Sequence, residues 1–265
     1  MVAKHEARYD RQVALQQIGA VGQARLAAAT VIIVGCGGLG SVSAELLVRA
    51  GVGYLRLVDD DRVELANLVG QTLYGEEDAR TGQFKVLAAA RRLSRLNPCV
   101  TIEPVVARIN GRNAGKLIAG ADLVLDGTDN DATRCLINRV CLKQGIPWIF
   151  AAILECYGLT MNIVPGETPC FGCLFGRPGP RRSRDHKGSL STATHVVASL
   201  QVSQALRLLL RDGRYSRGLV YVDVWTPELE RLDVKSPPQG CLACGRQSLE
   251  RQAPTLFAAA PAVAA

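Results

Sequence analysis

Short apolar runs recur along this chain at regular intervals. They are "VIIV" at 31–34, "YLRLVD" from Tyr54, "VTIEPVVA" from Val100, "ADLVLD" up to Asp126 and "IPWIFAA" up to Ala152. Between them the apolar positions keep a helical period. Phe84, Val86, Leu87, Ala90, Leu93 and Leu96 share one face of a helix over 83–96. The spacing also predicts helices over 39–50 and along "ATRCLINRVCLKQG", the second ending at Gly145. Strands alternating with helices imply a parallel sheet with right-handed crossovers.

After Ala152 the rhythm changes. "YGLTMNIVPG" and "GLVYVDVWTPELERLDVK" read as antiparallel strands. Between them lie a Pro/Arg/Ser-rich loop at 176–189 and the helix "THVVASLQVSQALRLLL". This second part is too short to bury a core of its own, so it is expected to extend the same sheet. The predicted fold is α/β: a Rossmann-like, largely parallel sheet with helices on both faces, extended by antiparallel strands near the C-terminus. The last residues, 246–265, include "APTLFAAAPAVAA" and are expected to be a disordered tail.

Composition narrows the classes. With 48% apolar and 21% charged residues among 265, the chain reads as a soluble globular protein. No run approaches the roughly 18 apolar residues of a spanning helix, and no membrane association is expected. The charged start "MVAKHEARYDRQ" lacks the apolar stretch of a signal peptide, which predicts a cytoplasmic protein. The net charge is +7, densest in "RRLSR" (91–95) and "RPGPRRSRDHK" (177–187). Such runs suit a solvated surface or an acidic partner. Nucleic acid is disfavoured, since no aromatic interleaving or known nucleic-acid module accompanies them. Nine cysteines without a secretion signal argue against a disulfide framework.

Gly35, Gly37, Gly38 and Gly40 form "GCGGLG" between a predicted strand and helix. Glycines let the backbone approach a phosphate, and the helix start offers unpaired N–H groups. Nineteen residues past Gly40 stands Asp59, the first of three consecutive aspartates at the end of the second strand. Adjacent carboxylates repel, so the cluster needs a cation, a hydroxyl-bearing ligand or solvent. Asp59 occupies the place where a carboxylate accepts from ribose hydroxyls. A dinucleotide oxidoreductase would share these features, but two others disfavour it. "GQFK" sets Lys85 at a helix start, where it can meet phosphate. "DGTDN" ends the fourth strand with Asp126, Asp129 and Asn130. Another carboxylate near phosphates suits a magnesium-bound triphosphate. Asp129 also suits a helix N-cap, and the two roles are compatible.

Together these residues resemble the ThiF/MoeB family, the bacterial relatives of ubiquitin-activating enzymes. The resemblance runs from about Arg8 to Gly245. It is carried by "RYDRQ", "GCGGLG", "LVDDDRVELANL", "GQFK", "LVLDGTDN" followed by Arg134, and the pairs "CFGC" and "CLAC". It implies a single adenylation domain over 1–245, with a nucleotide-binding core at about 27–152 and a sheet extension, crossover loop and zinc site at about 153–245. It implies an adenylyltransferase that uses ATP and Mg²⁺ to activate the C-terminal carboxylate of a small ubiquitin-like, Gly-Gly-ended carrier protein, or of a peptide, for sulfur transfer or natural-product assembly. Carried over, Asp129 binds Mg²⁺, Lys85 contacts the phosphates and Asp59 holds the ribose. Asp61, Asn67, Asn130 and Arg134 line the same pocket. Arg11 reaches into the neighbouring subunit's site, which implies a homodimer. Cys170, Cys173, Cys241 and Cys244 match a structural zinc site. Cys-x-x-Cys turns also serve redox chemistry, and two pairs of equal spacing favour zinc.

Two departures stand out. Where the family pattern carries a phosphate-contacting arginine, "NLVGQ" has Gly70. The missing charge implies a weaker ATP site, a substitute from loop 177–187, a different reaction, or a non-catalytic nucleotide-binding scaffold of the same fold. Second, no cysteine occurs between Cys173 and Cys241, and Arg184 stands about where a covalent-link cysteine is expected. The activated product should then leave as an acyl-adenylate. His195 is expected to pack within its helix rather than act in catalysis.

Overall fold

The structure, a computed structural model, describes residues 2–176, 188–234, 241, 243 and 244. Loop 177–187 with Arg184, and the stretch 246–265, lie outside the described residues. The chain enters through two helices, α1 (Val2–Val13) and α2 (Gly19–Ala28). The alternating part follows: β1 (Thr30–Val34), α3 (Gly38–Ala50), β2 (Tyr54–Val58), α4 (Glu76–Arg80), α5 (Lys85–Leu96), β3 (Thr101–Val105), α6 (Ala114–Ile118), β4 (Leu123–Asp126), α7 (Asp131–Gln144) and β5 (Trp148–Leu154). The last part holds β6 (Tyr157–Ile163), α8 (Phe171–Phe175), α9 (Ser191–Leu209), β7 (Leu219–Asp223) and β8 (Glu228–Leu232).

Among the described residues, eight strands form one sheet in the order β3-β2-β1-β4-β5-β6-β7-β8. The first five pair in parallel, and β5 to β8 pair antiparallel. The expected extension of a parallel sheet by late antiparallel strands is therefore present. Strand periodicity divides the core in two. Val31 and Ile33 face a cluster with Leu47, Val86 and Leu93, while Ile32 and Val34 face one with Ile137, Trp148 and Phe171. Both faces of β1 are buried, which is why its sequence is continuously apolar rather than alternating.

The N-terminal helices were not among the predicted elements. Polar side chains fasten them to the sheet domain. Tyr9 is buried, and its hydroxyl accepts from Asn97 Nδ2 at 2.7 Å. Gln12 Nε2 donates to Ala50 O at 2.9 Å and to Gln23 Oε1 at 2.7 Å. Gly51, at φ +82°, leaves room for the Tyr9 ring, since a Cβ there would lie 2.5 Å from it. Among the described residues, no helix is long and apolar enough to cross a membrane.

The turn from β1 into α3 is a tight passage. A Cβ on Gly40 would lie 1.9 Å from the backbone oxygen of Gly35. Backbone cannot yield as a flexible side chain can. Gly40→Ala is therefore expected to cost roughly 3 kcal/mol of stability, the upper end of overpacking effects. Urea unfolding checks this; an unchanged midpoint would mean the turn is looser than described.

Candidate nucleotide site

The carboxyl ends of β1, β2 and β4 open onto a cleft of about 690 Å³. This is where ligands sit in open α/β sheets, at the point where strand order reverses. Gly35, Gly37 and Gly38, then Asp59, Asp60 and Asp61, then Asn67, Gln71 and Lys85, then Thr128, Asp129, Asn130 and Arg134 all line it. Gly40 lies behind the loop, against Gly35.

The glycine loop is held from behind. Gly35 has φ +88°, a left-handed conformation that suits glycine. Cys36 follows, fully buried, and its N–H donates to Asp59 Oδ2 at 2.6 Å. The Tyr74 hydroxyl donates to Cys36 O at 2.7 Å. Burial pushes the Cys36 thiol well above its ordinary value, with Asp59 adding to the effect, so it stays an inert thiol. Asp59 receives a second bond on Oδ1, from the Asp61 N–H at 2.8 Å. Burial raises its pKa, while these backbone donors and Lys85 act against the rise.

The acid cluster therefore has partners of its own. Asp59 rests on two N–H groups, and Asp61 pairs with Lys85 Nζ at 2.8 Å. Lys85 is 6% exposed at the first position of α5, and its N–H donates to Asp61 O at 2.9 Å. The three carboxylates lie close enough to hold a cation, but two of them already have this compensation. Asn67 uses Oδ1 to accept from the Glu64 N–H at 3.1 Å, closing its own short turn.

At β4 the roles separate. Asn130, not Asp129, caps α7: its Oδ1 accepts from the Thr133 N–H at 2.9 Å. Asp129 is left exposed at the cleft, with Asn130 Nδ2 donating to it at 3.2 Å. A hard, accessible carboxylate oxygen there fits a magnesium ion. Arg134 is 2% exposed and turns inward. It donates to Asp126 Oδ2 at 3.0 Å, Asp131 Oδ1 at 3.0 Å, Thr128 O at 2.7 Å and Ala151 O at 3.2 Å. Burial pulls its pKa down, but Asp126 and Asp131 more than offset this and the net shift is upward. Its place is beneath the acid turn, which it braces. Arg11 is exposed on α1 and does not line its own chain's cleft. The sequence reading missed Gln71, Thr128, Thr194 and Arg108, which also line the cleft. Among the described residues, His195 bonds within its own helix, to Ser191 O at 2.7 Å.

A second cluster lies beyond the sheet. Cys170 Sγ is 3.7 Å from Cys173 and 3.8 Å from Cys241, and Cys173 is 3.3 Å from Cys244. These separations are far too long for disulfides. They approach the ~3.8 Å edge of a tetrahedron with Zn–S bonds of ~2.3 Å. The cluster sits in the core against α7 and Phe171. Thiol hydrogen bonds, chiefly from Cys244, pull Cys170 down, while desolvation raises Cys173. Four thiols cannot all ionise there without a cation, and these four can hold one zinc ion.

A doubly wound sheet that brings a glycine loop, an acid at the end of β2 and a buried lysine to one cleft has the arrangement of nucleotide-binding folds. The ThiF family profile matches residues 9–243. The chain belongs to the ThiF family and is an adenylyltransferase of the ThiF/MoeB type. It is 39% identical to the sulfur carrier protein ThiS adenylyltransferase of Bacillus subtilis, over 90% of this chain and 71% of that one. It is 38% identical to the sulfur carrier protein adenylyltransferase of Thermus thermophilus, over 92% and 93%. The SAMP-activating enzyme E1 of Haloferax volcanii is 36% identical over 92% and 90%. Among solved structures, Escherichia coli MccB with MccA-N7isoAsn superposes with a TM-score of 0.79 at 23% identity, over 91% of this chain and 75% of that one, a likeness of fold.

The Asp126–Arg134 pair generates a stability prediction. Asp126 is 0% exposed, and Arg134→Ala would leave its charge buried and uncompensated. The expected loss is about 3–5 kcal/mol, read by thermal or urea unfolding. A loss below about 1 kcal/mol, the range of exposed pairs, would contradict the buried bracing role.

Proposed function

We propose that this protein uses MgATP to adenylate the C-terminal carboxylate of a small ubiquitin-like, Gly-Gly-ended sulfur carrier, releasing pyrophosphate. One observation carries the reading. The ends of β1, β2 and β4 and the start of α5 bring the glycine loop, Asp59, Asp129 and Lys85 to a single cleft. The sulfur-carrier relatives supply the substrate class.

In this reading the loop at Gly35–Gly40 and the N–H groups at the start of α3 cradle phosphate oxygens. Asp59 accepts from the ribose hydroxyls. The carrier's terminal carboxylate attacks the α-phosphorus in line with the departing pyrophosphate. Negative charge grows on the phosphate oxygens as it does so, and preorganised positive groups stabilise it. Lys85 swings from Asp61 to the phosphates to do this. Asp129 would hold Mg²⁺, which when bound neutralises phosphate charge. Arg11 of a second copy would approach the same phosphates, making the homodimer the working form. With no cysteine in the crossover loop, the acyl-adenylate itself is the product, passed to a separate sulfur donor.

Asp129→Ala is expected to lower ATP–pyrophosphate exchange with a Gly-Gly carrier by at least about 100-fold, as loss of one charge-stabilising group does. Its circular dichroism should be unchanged. Exchange at the wild-type rate would remove Asp129 from the metal site. Exchange that ignores the carrier would remove the carrier as substrate.

We also assign zinc to the four thiolates, tying the segment around α8 to the late chain. Elemental analysis should find about one zinc per chain, and a strong chelator should lower the melting temperature. Metal-free protein with the same melting temperature would end this assignment.

A further inference from the structure

Gln71 stands in the cleft wall with both ends of its amide unused. Its Oε1 is buried and has no hydrogen-bond partner among the described residues. Its Nε2 has no partner among the described residues and lies 4.0 Å from the point a Cβ on Gly37 would occupy. A buried, unpaired amide oxygen is unfavourable, and folded proteins avoid it. Here it persists beside the glycine loop, in a side chain that lines the cleft. The neighbouring position adds nothing polar, because Gly70 has no side chain, and a Cβ there would meet Ser191 at 3.7 Å. Along 67–71 the wall therefore offers two side-chain amides and no cation. Asn67 already uses its oxygen on Glu64. Gln71 is the side chain in this stretch aimed at the loop with its hydrogen-bonding capacity intact.

We propose that Gln71 positions the nucleotide by donating its amide N–H to a phosphate oxygen of ATP beside Gly37. Phosphate oxygens only accept, so at this place the donor end of the amide is the one that matters. A hydrogen bond from a neutral donor to a charged phosphate is stronger than one between neutral groups. The amide lies with its nitrogen toward the loop and its oxygen turned into the wall. The proposal rests on reading the cleft as the ATP site.

The test is calorimetric titration of ATP with Mg²⁺, and separately of adenosine, into wild type, Gln71→Leu and Gln71→Glu. Gln71→Leu should weaken ATP about tenfold and leave adenosine within about twofold. Gln71→Glu keeps the shape, loses the donor and adds a negative charge. It should weaken ATP by more than Gln71→Leu does. Without nucleotide, Gln71→Leu should melt no lower than wild type, because the unpaired oxygen is gone. If that variant does not fold, Gln71→Met replaces it. Unchanged ATP affinity, an equal loss for ATP and adenosine, or a Glu variant as good as wild type would each overturn the role of Gln71. Wild type that takes up no ATP would overturn the reading of the cleft instead.

Discussion

The site depends on two backbones that come closer than side chains permit. β1 and β4 are parallel neighbours, with Val34 level with Asp126. The next residue on each strand is glycine. A Cβ on Gly35 would lie 2.6 Å from Gly127 O, and one on Gly127 would lie 2.3 Å from Gly35 O. The Gly127 N–H donates to Val34 O at 2.8 Å, and the Gly35 N–H to Val58 O at 2.9 Å. The sheet ladder therefore runs one residue past its strands before the chains part. That contact sets the distance between the loop that opens α3 and the turn that carries Asp129. Any side chain at either glycine would force the two apart.

Polar groups behind this contact keep it rigid. Arg134 ties β4, the start of α7 and the middle of β5 into one unit, since Asp126, Thr128, Asp131 and Ala151 all accept from it. Gln201 on α9 adds two bonds from the other face, to Asp126 O and Ile149 O, both at 3.0 Å. On the β2 side, Asp59 clamps Cys36 and Asp61 through their N–H groups. The buried Asp126 and Arg134 each have several partners, which is what makes their burial tolerable. The groups that face the cleft are then left in place at small reorganisation cost, as electrostatic catalysis requires.

Much of this was legible in the chain. Strands buried on both faces announce themselves as apolar runs, and the glycine loop, Asp59 and Lys85 are fixed by position relative to those runs. What was not legible depends on where side chains turn. Asp129 and Asn130 are both good helix caps by residue type, and only the helix register assigns the cap to Asn130. Arg134 follows the acid turn closely enough to suggest a ligand contact, yet one turn into α7 its side chain falls on the buried face. α2 carries weak apolar periodicity, and α1 is fixed by long-range bonds such as Asn97 to Tyr9 and Gln12 to Ala50. Gln71 had no local signal, because an unpaired atom is defined by everything that fails to surround it.

The charge of the cleft completes the argument. Among the described residues, its lining carries the acids Asp59, Asp60, Asp61, Asp129 and Glu155 against the cations Lys85, Arg108 and Arg134. Of those cations, Arg134 is locked to Asp126 and Asp131, and Lys85 lies against Asp61. A polyanion entering such a lining meets repulsion unless positive charge enters with it. On the proposed reading, this cleft would take the phosphates together with a divalent cation, and Lys85 would leave Asp61 as the charges rearrange. A glycine at position 70 fits the same logic: where a second chain or a metal delivers the positive charge, neutral donors on this wall suffice to orient the phosphates.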